Sequence, residues 1–163
     1  MEKSDKQERK NNKFTEVKTF PVQFPLEENQ EKITFKTNTP SKPSKEQIIN
    51  QAFKFHSQGN ISEAAKYYQY FINRGFQDYR VFSNFGIILQ NLERLEEAEL
   101  SLRKAIELKP DFAEAHTNLG TLLKELGSLR EAELSLRKAI ELKPDFALAH
   151  FNFGTVLTSL GKL

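Results

Sequence analysis

Asn50, Asn84, Asn118 and Asn152 recur 34 residues apart without exception. Each sits inside a stretch of helical periodicity, where asparagine is only a middling helix former, so the repetition points to a use. A side-chain amide offers both a donor and an acceptor. A row of such amides could grip the backbone of an extended polypeptide without reading its sequence. The same atoms could instead bond within or between helices, and the sequence leaves both readings open. By helical spacing Ile49, Phe53, Ser83, Ile87, Thr117, Thr121, Lys124, Phe151 and Thr155 share the face of the asparagines. Their mixture of apolar and hydroxylic groups would tune the preference of a groove.

Other chemistry is poorly supplied. The chain has no cysteine, which excludes disulfides, zinc–thiolate sites and thiol catalysis. It shows no phosphate-binding glycine loop, metal-spaced cluster or nucleophile motif. The expectation is a protein that is not an enzyme, with no catalytic residues, no metal and no cofactor. His116 and His150 are again 34 apart, and a packing role is favoured over a shared metal. His56 stands alone. Arg103-Lys104 and its echo Arg137-Lys138 resemble a basic patch, but Glu99, Glu107, Glu133 and Glu141 lie one helical turn away. A solvated, ion-paired face is the better reading. The net charge of +2, from 24 basic and 22 acidic residues, gives no electrostatic case for nucleic acid. No apolar run approaches the roughly 20 residues needed to span a bilayer, and the polar start of the chain is not a secretory signal. The default location is the cytoplasm.

The elements that carry the asparagines are repeats. Residues 95–113 and 129–147 agree at 18 of 19 positions, and the one change is Glu96 to Arg130. Asn84-Phe85-Gly86, Asn118-Leu119-Gly120 and Asn152-Phe153-Gly154 fall in the same register. Repetition at such a period is the mark of a stacked helical array. Four units are expected, near 45–78, 79–112 and 113–146, with a partial one at 147–163. Each complete unit reads as two helices. In the third unit Asp111 with Glu114, and Ser128 with Glu131, are expected to form capping boxes. Unit one offers Ser44 with Gln47, and Asn60 with Glu63. Gly127 should stop the first helix of unit three, and Lys143-Pro144 the second. Gly86, Gly120 and Gly154, with Ala64, Ala98 and Ala132, mark places where helices must approach closely.

On Leu119-Gly120, Gly127, Ala132, Leu136, Ala139 and Pro144, residues 44–163 resemble the tetratricopeptide repeat family. The resemblance implies an all-α, right-handed superhelical α-solenoid whose first helices line a concave groove. It also implies a non-catalytic scaffold that binds an extended peptide or a helix of a partner protein. The asparagine register resembles the ladder that holds polypeptide in the arrays of O-linked N-acetylglucosamine transferases. The alternative reading is therefore a substrate-recruiting array of a larger glycosyltransferase or sulfotransferase. Family members that clamp a C-terminal carboxylate use lysine and arginine on this surface; here Arg80 and Lys124 are too few. The chain also departs from the family. Its early aromatic position holds Ile48, Phe82, His116 and His150, while unit one has Phe71 for a small residue and Phe76 for the closing proline.

Residues 1–43 carry four of the six prolines and no glycine, and such polar composition reads as a disordered tail. Within it Phe20, Val22, Phe24 and Leu26 alternate with polar residues and prolines, as in a short docking segment. At the other end Phe153, Val156, Leu157 and Leu160 would lack a partner helix. The preferred expectation is a piece of a longer protein, and the other is self-association through this open end.

Overall fold

The computed structural model describes residues 43–162; the expectations for the tail and for Phe20 to Leu26 fall outside the described residues. Seven helices follow in order: α1 (Lys45–Ser57), α2 (Ile61–Asn73), α3 (Tyr79–Asn91), α4 (Leu95–Leu108), α5 (Ala113–Glu125), α6 (Leu129–Leu142) and α7 (Ala147–Ser159). Among the described residues there is no strand, and no helix is long and apolar enough to cross a membrane. The helices pair as α1 with α2, α3 with α4 and α5 with α6, and each pair packs on the next. The result is an all-α solenoid.

Side-chain caps open the first three of the seven helices. Ser44 Oγ accepts from Gln47 N at 3.2 Å and Gln47 Oε1 accepts from Ser44 N at 2.8 Å, a complete capping box. Asn60 Oδ1 accepts from Glu63 N at 3.3 Å, and Asp78 Oδ1 from Arg80 N at 2.9 Å. The two boxes expected in unit three do not form. Helix α5 begins after Phe112, so Asp111 lies one residue too early and its carboxylate takes Lys109 Nζ at 2.8 Å. Ser128 makes no capping bond, and Glu131 reaches away from the helix end to Arg103 Nη2 at 2.9 Å. Cross-helix ion pairing has captured the acidic residue that a box would need.

Positive φ closes each first helix. Gly59, Gly127 and Gly161 have φ of +72°, +77° and +67°. In unit two the corresponding residue is Glu93, at φ 59°. A side chain there costs about 1–2 kcal/mol.

The tightest packing lies between the two helices of a unit. A Cβ placed on Gly86 would stand 2.7 Å from Leu102 Cγ, and one on Gly120 would stand 2.5 Å from Leu136 Cγ. Both leucines are fully buried, as are Ala98, Ala105, Ala132 and Ala139 around them. Gly154 differs, because a Cβ there would meet nothing within 4 Å. Unit one places buried Ala52 at this register and closes on an aromatic pair, Phe71 with Phe76, ring centroids 5.3 Å apart.

The second helices present ion pairs to solvent. Arg103 bonds Glu99, Lys104 bonds Glu107, Arg137 bonds Glu133 and Lys138 bonds Glu141, at 2.6 to 3.2 Å. The basic tracts are therefore neutralised within their own helices.

Urea unfolding separates the glycines. Gly120→Ala is expected to cost about 1–3 kcal/mol through overpacking against Leu136, whereas Gly154→Ala should be neutral or stabilise by up to about 1 kcal/mol. Equal effects at the two positions would refute the packing assignment. Glu93→Gly should stabilise the array by about 0.5–1 kcal/mol through relief of the left-handed backbone, and a lower denaturation midpoint would count against that strain.

Candidate functional site

The asparagines lie near the middle of α1, α3, α5 and α7, the first helix of each unit. These helices form one layer, in which α5 touches both α3 and α7. From the second unit on, each amide donates to the unit before it. Asn84 Nδ2 donates to Tyr68 Oη at 3.3 Å, Asn118 Nδ2 to Ser83 Oγ at 3.5 Å and Asn152 Nδ2 to Thr121 Oγ1 at 2.9 Å. The Asn118 bond is at the weak end of the range and the Asn152 bond is well formed. Among the described residues no hydrogen bond reaches the Oδ1 of these three side chains. Asn50 is exposed and makes no side-chain bond among the described residues.

Both sequence readings of the asparagine therefore find atoms. The donor half ties adjacent units, which is the structural role. Among the described residues the acceptor half of Asn84, Asn118 and Asn152 is uncommitted, which is what a peptide N–H would need, and Asn152 is the buried one of the three.

The neighbours divide. Ile87, Lys124 and Thr155 are half-buried. Thr121 is half-buried as well, but its hydroxyl is doubly engaged: it accepts from Asn152 and donates to Thr117 O at 3.0 Å. Thr155 Oγ1 donates to Asn152 O at 2.8 Å. Ile49, Ser83 and Thr117 are buried and do not line an open surface. Ser83 and Thr117 lie in the layer where first helices stack, so neighbouring units cover the face on which periodicity alone placed them. Thr117 Oγ1 is bonded to Ala113 O at 3.0 Å. Phe151, on α7, is 68% exposed.

Arg80 is not a free cation. It forks onto Asp78 at 3.1 and 2.8 Å and lies 5.2 Å from the centroid of the Phe53 ring. Burial pushes the Asp78 carboxyl up, but the bonds from Arg80 outweigh it and hold the pKa below the usual value. This leaves Lys124 as the one cation of the expected set without a carboxylate partner among the described residues.

Sequence reasoning passed over Tyr68. It occupies the register of Leu102 and Leu136, where unit one alone has a polar atom. The ring is fully buried, and its hydroxyl bonds both Asn84 Nδ2 and His56 Nδ1, the latter at 2.9 Å. Phe53 packs edge-on against it at 6.0 Å. Burial pushes the Tyr68 phenol up to about 12, against a smaller downward effect of the Asn84 bond. The other histidines tie turns to helices: His116 Nε2 bonds Pro110 O at 2.9 Å, and His150 Nε2 bonds Pro144 O at 2.8 Å. Among the described residues no group of three or more His, Asp or Glu could hold a metal ion.

Comparison with known proteins agrees with this geometry. Residues 88–127 match a family model described as TPR repeat, and residues 113–146 match one described as tetratricopeptide repeat. The first TPR of Spaghetti (RPAP3), solved with the HSP90 peptide SRMEEVD, is 20% identical. The match covers 70% of this chain and 90% of that one, with a TM-score of 0.65. YrrB, described as a TPR protein with an unusual peptide-binding site, is 23% identical over 73% of this chain and 61% of its own, TM-score 0.66. The second TPR domain of human RPAP3, in complex with the HSP70 peptide SGPTIEEVD, is 23% identical over 67% and 91%, TM-score 0.60. No curated protein matches the chain in sequence. Residues 88–146 thus match tetratricopeptide repeat models, and at these identities the solved structures show the fold alone.

The raised Tyr68 pKa makes a prediction about alkaline pH. The unfolded phenol ionises near 10 and the folded one near 12, so Tyr68 contributes stability that is present below pH 10 and lost as the pH rises through 12. Unfolding measured across that window should show the loss, and Tyr68→Phe should flatten it. An unchanged slope in the variant would contradict the burial of this hydroxyl.

Proposed function

We propose that this chain is a protein-interaction array that holds an extended segment of another polypeptide along α1, α3, α5 and α7. The carrying observation is the asparagine register, four amides at a fixed 34-residue offset whose acceptor oxygens take no hydrogen bond among the described residues. An extended backbone presents an N–H at every residue except proline. Acceptors repeated along a stack can take such donors whatever the side chains are.

The related folds support this class of ligand, since two of the similar structures hold peptides and the third is described by its peptide-binding site. The mode here would differ. With Arg80 committed to Asp78, recognition rests on the peptide backbone rather than on a terminal carboxylate. Ile87, Lys124 and the exposed Phe151 would add side-chain preference. The ion-paired second helices favour a polypeptide over nucleic acid, and the absence of cysteine accords with a cytoplasmic setting. The same grip would serve an array that delivers polypeptide to a glycosyltransferase or sulfotransferase, and the asparagine register is the feature that supports that version.

Asn50 is the clean probe, because it is exposed and bonds nothing within the described residues. The ligand for the test is a peptide selected from a random library on the full chain. Asn50→Ala should weaken its binding by about 3- to 10-fold, the worth of one hydrogen bond, with no change in unfolding. Asn84→Ala, Asn118→Ala and Asn152→Ala should lose affinity and also about 1 kcal/mol of stability each. N-methylation of the gripped peptide amides should weaken binding more than alanine substitution of the side chains. A quadruple alanine variant that binds as tightly as the parent would refute the ladder.

A further inference from the structure

Two rungs of the asparagine layer end on different kinds of acceptor. Asn152 Nδ2 donates to Thr121 Oγ1 at 2.9 Å, and that hydroxyl passes its own proton to Thr117 O at 3.0 Å. A backbone carbonyl only accepts, so this series of bonds runs one way at every pH. Asn84 Nδ2 donates to Tyr68 Oη at 3.3 Å, and that hydroxyl meets His56 Nδ1 at 2.9 Å. Here the series ends on a group that titrates.

Counting protons fixes its direction. Tyr68 is fully buried, and its hydroxyl has no other hydrogen-bond partner among the described residues. With Asn84 donating to the oxygen, the phenol proton goes to His56 Nδ1. That nitrogen therefore offers a lone pair, and the ring proton sits on Nε2. Burial pushes the phenol up to about 12, so its proton stays in place at neutral and acidic pH. A second proton on the imidazole turns Nδ1 into a donor. Both neighbours then donate to Oη, and the buried phenol proton is left without an acceptor, which is costly. A half-turn of the Asn84 amide restores the pairing: Oδ1 takes the phenol proton and Nδ2 turns away from Tyr68.

The surroundings of His56 leave this hydroxyl as the group its protonation acts on. On its own helix Lys54 is exposed. From α2, Tyr68 meets the ring edge-on with centroids 5.8 Å apart, Tyr67 packs on Phe55, and Glu63 pairs with Lys66 at 3.2 Å. From α3, Arg80 lies over Phe53, one turn from His56, and is forked onto Asp78. No carboxylate bonds the imidazole among the described residues.

We propose that His56, Tyr68 and Asn84 form a proton-driven switch between the first and second units, in which protonation of His56 turns the free side of the Asn84 amide from acceptor to donor. Histidine ionises between roughly pH 5 and 8, so the switch works around neutrality. Its effect on a ligand rests on the backbone grip proposed above. At low pH Asn84 would face a peptide N–H with its own N–H, and that rung is lost while the Asn152 rung persists.

The test is ¹⁵N NMR of the full chain without ligand, from about pH 8 to about pH 5, with the Asn84 and Asn152 side-chain NH₂ pairs and the His56 ring assigned. The Asn84 pair should shift with the His56 titration, and its Overhauser contact to the Tyr68 ring should weaken. The Asn152 pair should stay still. In His56→Gln and in Tyr68→Phe the Asn84 pair should stay still as well. An Asn84 pair that ignores the His56 titration would overturn the proposal. So would one that keeps its Tyr68 contact at low pH, or one that still follows pH in both variants. Peptide binding then separates the switch from the grip. The library-selected peptide should bind about 3- to 10-fold more weakly after His56 protonation, but not in His56→Gln. A switch seen by NMR with unchanged affinity supports the switch and counts against the grip at Asn84.

Discussion

A leucine seated on a glycine is the contact that the rest of this array depends on. Leu102 on Gly86 and Leu136 on Gly120 fill the space that a Cβ on either glycine would need. Rotation about the helix axis then follows. In α3, α5 and α7 the asparagine precedes the glycine by two residues, about 200° around an α-helix. Facing the glycine toward its own second helix turns the asparagine toward the opposite side. The packing contact thus orients the candidate ligand-binding atoms, although the two share no atoms.

In the asparagine layer Asn84, Asn118 and Asn152 each tie one unit to the one before it. Nδ2 donates to Tyr68, Ser83 or Thr121 of the preceding unit, which stiffens the junction and fixes the amide plane. Under the proposed function a fixed plane would hold the acceptor oxygen preorganised, and preorganisation reduces the entropy lost on binding. The partner differs at each junction, so the three links are unequal. The first is backed by the buried Tyr68 ring and His56, whereas the middle one is the longest. Asn50 has no earlier unit to lean on among the described residues and remains exposed.

Much of this was legible in the sequence, and the reason is repetition. A 19-residue stretch that recurs with one change makes helix length, turn position and small-residue register visible together. The ion-paired second helices followed from one-turn spacing of opposite charges. What failed to show was set by contacts between units. Ser83 and Thr117 share a helical face with the asparagines, but the neighbouring first helix covers them, and a single-helix period carries no information about neighbours. Glu131 reads as half of a capping box and is captured instead by Arg103 from another helix. Tyr68 matters through a hydroxyl that reaches across to Asn84, 16 residues on. Gly154 reads like its two counterparts and differs only in what surrounds it.

The central claim is that ligand meets the amides of the first helices. Two-dimensional ¹⁵N NMR of the full chain, with the Asn50, Asn84, Asn118 and Asn152 side-chain NH₂ pairs assigned, tests it directly. On titration with a bound polypeptide, all four pairs should shift together, and backbone changes should concentrate in α1, α3, α5 and α7. Silent side-chain amides, with the shifts instead confined to α4 and α6, would contradict the account.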